Sequence, residues 1–138
     1  MKKYTFTKEE RLCSKRFIEN LFHKGSSFVV YPFRLVYLKN DDIADNNPFP
    51  VKAIISVSKK RFKRAVDRNL IKRQMRECYR LEKHHLYNNL QQYSVKLLVA
   101  IQFVGKQQMS FEELHTKLQQ LLKRLENELD KSNLGKGN

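Results

Sequence analysis

The sequence predicts a small α/β (α+β) two-layer sandwich with the order α-β-β(-β)-α-β-α. Three observations predict it. A chain of 138 residues is one domain's worth. With 41% hydrophobic and 30% charged residues and only 4 Gly and 3 Pro, it can bury a core and lacks a disordered composition. The apolar spacing switches along the chain between a helical period and strict alternation.

Taken in order, residues 8–24 place Leu12, Phe17, Ile18, Leu21 and Phe22 on a helical period that stops at Gly25, so they predict a first helix after a short polar arm. Residues 28–38 are rich in β-branched and aromatic side chains and predict a strand that starts after Pro32 or is broken there. The Asn, Asp and Pro of residues 40–50 predict a hairpin loop, and residues 51–58 the returning strand. From 59 to about 87 there is no Gly or Pro, and the spacing is helical. Residues 94–104 are apolar on both alternate sets, as in a central strand covered on both faces. Ser110 and Glu113 form a capping box, after which Leu114, Leu118, Leu121, Leu122, Leu125 and Leu129 line one face of a third helix. Residues 1–130 are thus expected to form a single domain and 131–138 a flexible C-terminal tail. The strand at 51–58, the following helix and the strand at 94–104 make a βαβ unit, for which the general handedness rule predicts a right-handed crossover.

Composition narrows the function. Twenty-eight Lys and Arg against 14 Asp and Glu leave a net charge of +14, which points to a polyanion and foremost to nucleic acid. The apolar runs fall short of the roughly 18 residues of a membrane span, and no apolar segment follows Lys2 and Lys3. A cytoplasmic protein without a membrane partner is expected. Cys13 and Cys78 have neither a zinc spacing nor a disulfide pattern.

The second helix carries the strongest signal. At about 100° per residue, Val66, Leu70, Ile71, Met75, Cys78 and Leu81 fall within about 180° and predict the buried stripe. Arg68, Asn69, Lys72, Arg73, Arg76, Arg80 and Lys83 share the opposite arc with no carboxylate among them. Eleven basic and three acidic residues lie between positions 59 and 83. A solvated helix face, the competing reading, interleaves Glu with Lys, because like charges one turn apart repel by a few tenths of a kcal/mol. Segregation of one sign suits a phosphate-tracking surface, and its width suits folded RNA better than a single DNA groove.

The segment Ile55-Ser56-Val57-Ser58-Lys59-Lys60, followed by Arg64-Ala65-Val66-Asp67-Arg68-Asn69-Leu70-Ile71-Lys72-Arg73-Gln74-Met75-Arg76-Glu77, resembles the signature of the bacterial ribonuclease P protein subunit. Weaker resemblance covers most of the chain, including the pattern from Phe17 to Gly25. The resemblance implies a ribosomal protein S5 domain 2-like fold with an atypical left-handed βαβ crossover, against the general rule. It implies a protein that assists a catalytic RNA in cutting the 5′ leader from precursor tRNA, with magnesium held through the RNA and no metal or catalytic residue in the protein. The implied partners are ribonuclease P RNA and precursor tRNA, with the free protein a monomer. Carried over, Arg68, Asn69, Lys72, Arg73 and Arg76 are RNA-binding, joined by Arg64 within the motif and Arg80 farther along the arc. Phe17, Phe22, Ser56, Ser58, Lys59 and Lys60 are implied to border the cleft for the single-stranded leader, with Ile18 competing for the place of Phe17. Leu70 stands where the family usually has Arg.

Such a cleft has a physical rationale, since unpaired nucleotides stack on aromatic rings at about 1–3 kcal/mol per base while lysines track phosphates. Without the resemblance, Phe17 and Phe22 read as core side chains at helical spacing. The four histidines are scattered, and no Gly-rich phosphate loop or nucleophile elbow is present. A structural RNA-binding protein would share the basic helix without needing an open aromatic cleft. A self-sufficient nuclease would need clustered carboxylates.

Overall fold

Four strands form one mixed sheet with helices on both faces. The computed structural model describes residues 6–40 and 49–136. A 3₁₀ turn (Lys8–Glu10) precedes α1 (Lys15–Lys24), β1 (Ser26–Val30), β2 (Phe33–Lys39), β3 (Val51–Val57), α2 (Ala65–Gln92), β4 (Leu97–Phe103) and α3 (Phe111–Lys136). The sheet order is β1-β2-β4-β3, with β3 and β4 parallel and the other pairs antiparallel.

β4 is the centre because its sequence can be buried on both sides. Leu97, Val99, Ile101 and Phe103 point into the main core under α2 and α3, while Leu98 and Ala100 pack with Leu21 of α1 on the other face. The expected two layers therefore gain a third, a short helix on the outer face. The expected hairpin between β2 and β3 is also corrected. Both strands pair with β4, which lies between them, and an alternating pattern does not reveal which neighbour a strand takes. Residues 41–48 of that connection lie outside the described residues. The actual hairpin is β1 with β2, turning at Tyr31 and Pro32, where the Pro32 carbonyl accepts from the Val104 amide at 2.8 Å. Pro32 breaks the strand predicted over 28–38, one of the two alternatives.

The first helix starts at Lys15, not at residue 8. The Ser14 hydroxyl accepts from the Phe17 amide and caps it. Ahead of it, Glu10 and Thr7 close only the 3₁₀ turn. Arg11 and Leu12 then run extended beside β3, where the Leu12 amide donates to the Ala53 carbonyl at 2.8 Å. Leu12 is buried from this extended segment, so apolar spacing that fits a helix here serves a sheet-edge strap.

Gly25 ends α1 with φ −73° and ψ 159°, an ordinary extended conformation. Close approach requires the glycine. A Cβ there would stand 2.4 Å from the Leu21 carbonyl oxygen and 2.9 Å from that of Tyr37. Two backbone carbonyls cannot yield as a flexible side chain would, so Gly25→Ala is expected to destabilise the protein by about 1–3 kcal/mol in urea titration. An unchanged midpoint would show that α1 is free to shift off β2.

α2 also departs from its predicted stripe. Val66 is 61% and Leu70 38% exposed, whereas Tyr79, Lys83, Leu86, Tyr87 and Leu90 are buried with Ile71, Met75 and Cys78. No side chain among residues 65–70 is buried, so the start of the helix stands clear of the core. Farther along, the buried face turns toward the N-terminal strap. On α3 the six predicted leucines are all buried and the Ser110–Glu113 capping box is present. α3 continues to Lys136, past residue 131 where the tail was expected, since Gly and Pro are absent until Gly135. Among the described residues, no helix is long and apolar enough to cross a membrane.

Both cysteines are free, Cys13 exposed and Cys78 buried. Burial, reinforced by the charge of Glu77, pushes the Cys78 thiol up to about 11 from 9.0. Burial likewise raises Tyr79 and Tyr87. Between pH 9 and 11 the unfolded chain therefore holds fewer protons than the folded one. This contribution to stability is whole below pH 9 and is lost as pH rises toward 11. The urea midpoint is expected to fall between pH 8.5 and 10.5, and a thiol reagent at pH 8 to modify Cys13 rapidly and Cys78 only on unfolding. Equal reaction rates would contradict this assignment.

Candidate nucleic-acid interface

The charge segregation predicted for α2 is present on its first four turns. Asn69, Arg73 and Arg76 are exposed and Lys72 half-buried. Among the described residues, the guanidinium groups of Arg73 and Arg76 have no carboxylate partner. Arg64 at the N-cap is 3.9 Å from Asp67, and Arg80 is paired with Glu77 one turn before it. The hydrogen bond from Arg80 holds the Glu77 carboxyl below its usual range.

Arg68 is placed differently from the other cations of the arc. Its guanidinium donates to the carbonyls of Phe62 at 2.7 Å and Lys63 at 2.8 Å. It thereby braces the connection between β3 and α2, which presents Lys59, Lys60, Arg61 and Lys63 to solvent. In the same connection the Ser58 hydroxyl accepts from the Lys60 amide. Arg68 and the exposed lysines are thus parts of one built turn.

Lys83 leaves the predicted arc altogether. It is 2% exposed and paired with Glu10, which is itself fully buried and accepts from the Tyr87 hydroxyl at 2.7 Å. Tyr79 and Tyr87 share a hydrogen bond at 3.0 Å behind it. The helical wheel assumes one straight buried stripe, whereas here the N-terminal strap covers the middle of the basic side. Strap residues in turn extend the remaining surface. Arg11 and Phe6 join Arg73, Arg76, Glu77 and Arg80 around a groove of about 430 Å³. Sequence reasoning missed both, having assigned Arg11 to a helix and Phe6 to a polar arm.

A second surface lies on the outer face of the sheet. α1 covers its lower half, where Phe17 and Ile18 are both half-buried and pack with Leu38 and Ile54 around Leu21, Val36, Leu98 and Ala100. The next row up is polar. Ser56 of β3 is opposite Gln102 of β4, which is opposite Arg34 of β2, and Arg34 donates to Gln102 at 2.8 Å. All three side chains are partly exposed. Phe22 is 44% exposed and stands outside the cluster that holds Phe17. Arg34 and Gln102 were not predicted, although a polar residue at the outward position of each apolar strand, alongside Ser56, was the available signal.

Comparison with known proteins agrees with this architecture. The family model described as Ribonuclease P matches residues 6–126. A ribonuclease P protein component of Porphyromonas gingivalis is 36% identical over 122 residues, covering 88% of this chain and 87% of that protein. One from Chlorobium phaeobacteroides is 33% identical, covering 83% and 84%. The RNase P proteins of Staphylococcus aureus (TM-score 0.66, 23% identity, 84% of this chain and 94% of that one) and Thermotoga maritima (0.63, 25%, 83% and 96%) share the fold. A sheet centred on β4, a helix with a cluster of exposed basic residues and a match spanning nearly the whole chain place this protein in the ribonuclease P protein component family, whose members work with a catalytic RNA in maturing the 5′ end of tRNA.

Proposed function

We propose that this chain binds ribonuclease P RNA through Arg64, Arg68, Asn69, Lys72, Arg73, Arg76 and Arg80 and receives the 5′ leader of precursor tRNA on the outer face of the sheet. The observation that carries the reading is the unpaired, single-sign exposure of Arg73 and Arg76 beside Asn69. In a free protein the two guanidinium groups repel each other, and a polyphosphate backbone offsets that repulsion. Arg68 acts largely by shaping the turn that presents Lys59 and Lys60. Ser56, with Arg34 and Gln102, supplies hydrogen-bond donors and acceptors for a single strand, and Phe22 supplies an exposed ring for stacking. Phe17, half-buried against the sheet, supports that surface from below.

On this reading magnesium is held by the RNA, and the protein acts as a monomeric cytoplasmic subunit with one domain over residues 1–130. The S5 domain 2-like classification and a left-handed β3-α2-β4 crossover belong to the same reading. Reconstitution tests it, using the protein, a bacterial ribonuclease P RNA and 5′-labelled precursor tRNA at magnesium too low for the RNA alone. Cleavage at the mature 5′ end that requires both components is expected. Tight RNA binding without restored cleavage would instead favour a structural RNA-binding protein.

A further inference from the structure

The two edges of the sheet are built differently. Along β3 the N-terminal strap closes the open side, through the bridge of Arg11 with Ala53 and the Leu12 amide on the Ala53 carbonyl. β1 is the other edge. It pairs with β2 in unbroken register from Ser26 opposite Tyr37 to Val30 opposite Phe33, and among the described residues no strand pairs with its far side. In an antiparallel pair alternate residues turn their N–H and C=O groups away from the partner strand, so this edge presents donors and acceptors in a row.

Proteins usually blunt such an edge with a lysine, a proline or a bulge. The strand Ser26-Ser27-Phe28-Val29-Val30 has none of these. Phe28 points into the main core, and its neighbour Val29, on the outer face, is 55% exposed. Positive charge stands around the strand instead. Lys24 ends α1 just before it, and at the far end the Lys106 amide donates to the Tyr31 hydroxyl at 3.3 Å. Midway, the Arg124 guanidinium of α3 lies 4.8 Å from the centroid of the Phe28 ring. Glu128 pairs with Arg124 at 3.5 Å and offsets part of this charge.

We propose that the open edge of β1 docks an extended acidic segment of a partner protein, which adds a fifth strand to the sheet. A row of alternating donors and acceptors is complemented by another peptide backbone, whereas the phosphates of a nucleic acid only accept. A second copy of this chain would bring the same cations, and its net charge of +14, against themselves. An acidic strand meets them with the opposite sign. Beside Val29 it would place an apolar side chain, and the residues on either side of that one would turn Asp or Glu toward Arg124. β1 lies across the sheet from β3, on which α2 packs, so the site is separate from the basic arc and independent of the RNA-binding reading.

The test uses the full chain, alone and with ribonuclease P RNA bound, and a short peptide of alternating Glu and Val blocked at both ends. Its control is the same peptide N-methylated at alternate residues, which keeps the charge and removes the donors of one edge. N-methylation is expected to weaken binding about tenfold. Val29→Glu should weaken it about tenfold and Arg124→Gln about threefold, the second without altering the strand itself. Amides of residues 26–30 should exchange more slowly with peptide present, whether or not RNA is bound. Equal affinity for the peptide and its N-methylated form would overturn the proposal, since charge alone would then explain the binding. So would wild-type affinity in both variants, or protection of these amides by RNA and not by peptide. A dimer of the free protein in sedimentation that Val29→Glu dissolves would assign the edge to a second copy and likewise overturn it.

Discussion

Lys83→Ala is expected to lower the free energy of unfolding by about 3–5 kcal/mol, because it leaves the Glu10 carboxylate buried without its counter-charge. The Tyr87 hydroxyl would still donate to that carboxylate, but one neutral donor does not replace an ammonium group in a site sealed by Phe6, Phe49 and Tyr87. Melting should shift downward by on the order of 15 °C for a domain of this size. Replacing both partners, as Glu10→Gln with Lys83→Met, is expected to recover most of the loss, since no uncompensated charge then remains. Urea titration of Glu10→Gln, Lys83→Met and the double variant measures the coupling directly. A loss below about 1 kcal/mol for Lys83→Ala would mean that water reaches the pair.

Arg73→Ala combined with Arg76→Ala is expected to weaken binding of ribonuclease P RNA about 100-fold, on the basis of about 1.5 kcal/mol for each charge-assisted contact. The salt dependence should fall by about two in slope, one for each phosphate contact removed. Folding should be unaffected or slightly favoured, since both side chains are exposed and unpaired among the described residues and the substitutions relieve repulsion along α2. Filter binding over a salt series, beside a thermal melt, separates the two effects. A change smaller than threefold would place the RNA elsewhere on the protein.

Part of the candidate site is legible in residue types and spacing. Asn69, Arg73 and Arg76 were isolated by a helical wheel, and the structure leaves them exposed together. The wheel misplaced Lys83, Val66 and Leu70 for one reason: it treats a helix as facing a single flat core. α2 begins clear of the core, and its later turns face the sheet, α3 and the strap on different sides. The outer-face row of Arg34, Gln102 and Ser56 was invisible for another reason. It depends on which strands are neighbours, and residues from β2, β3 and β4 meet there only through pairing across 46 or more positions of chain.

By itself, the sequence determined what local chemistry specifies: the order of elements after the first helix, the central character of β4, the leucine face and capping box of α3, and the concentration of positive charge on α2. These follow from periodicity, capping and charge, each readable within a few turns of chain. Tertiary structure alone decided that β4 separates β2 from β3, that α1 covers only half of the outer face, and that a buried Glu10–Lys83 pair brings Arg11 to the basic groove. The physical reason is the same in each case. Strand partnership and burial of a charge are settled by contacts between distant segments, whose energies no local pattern encodes.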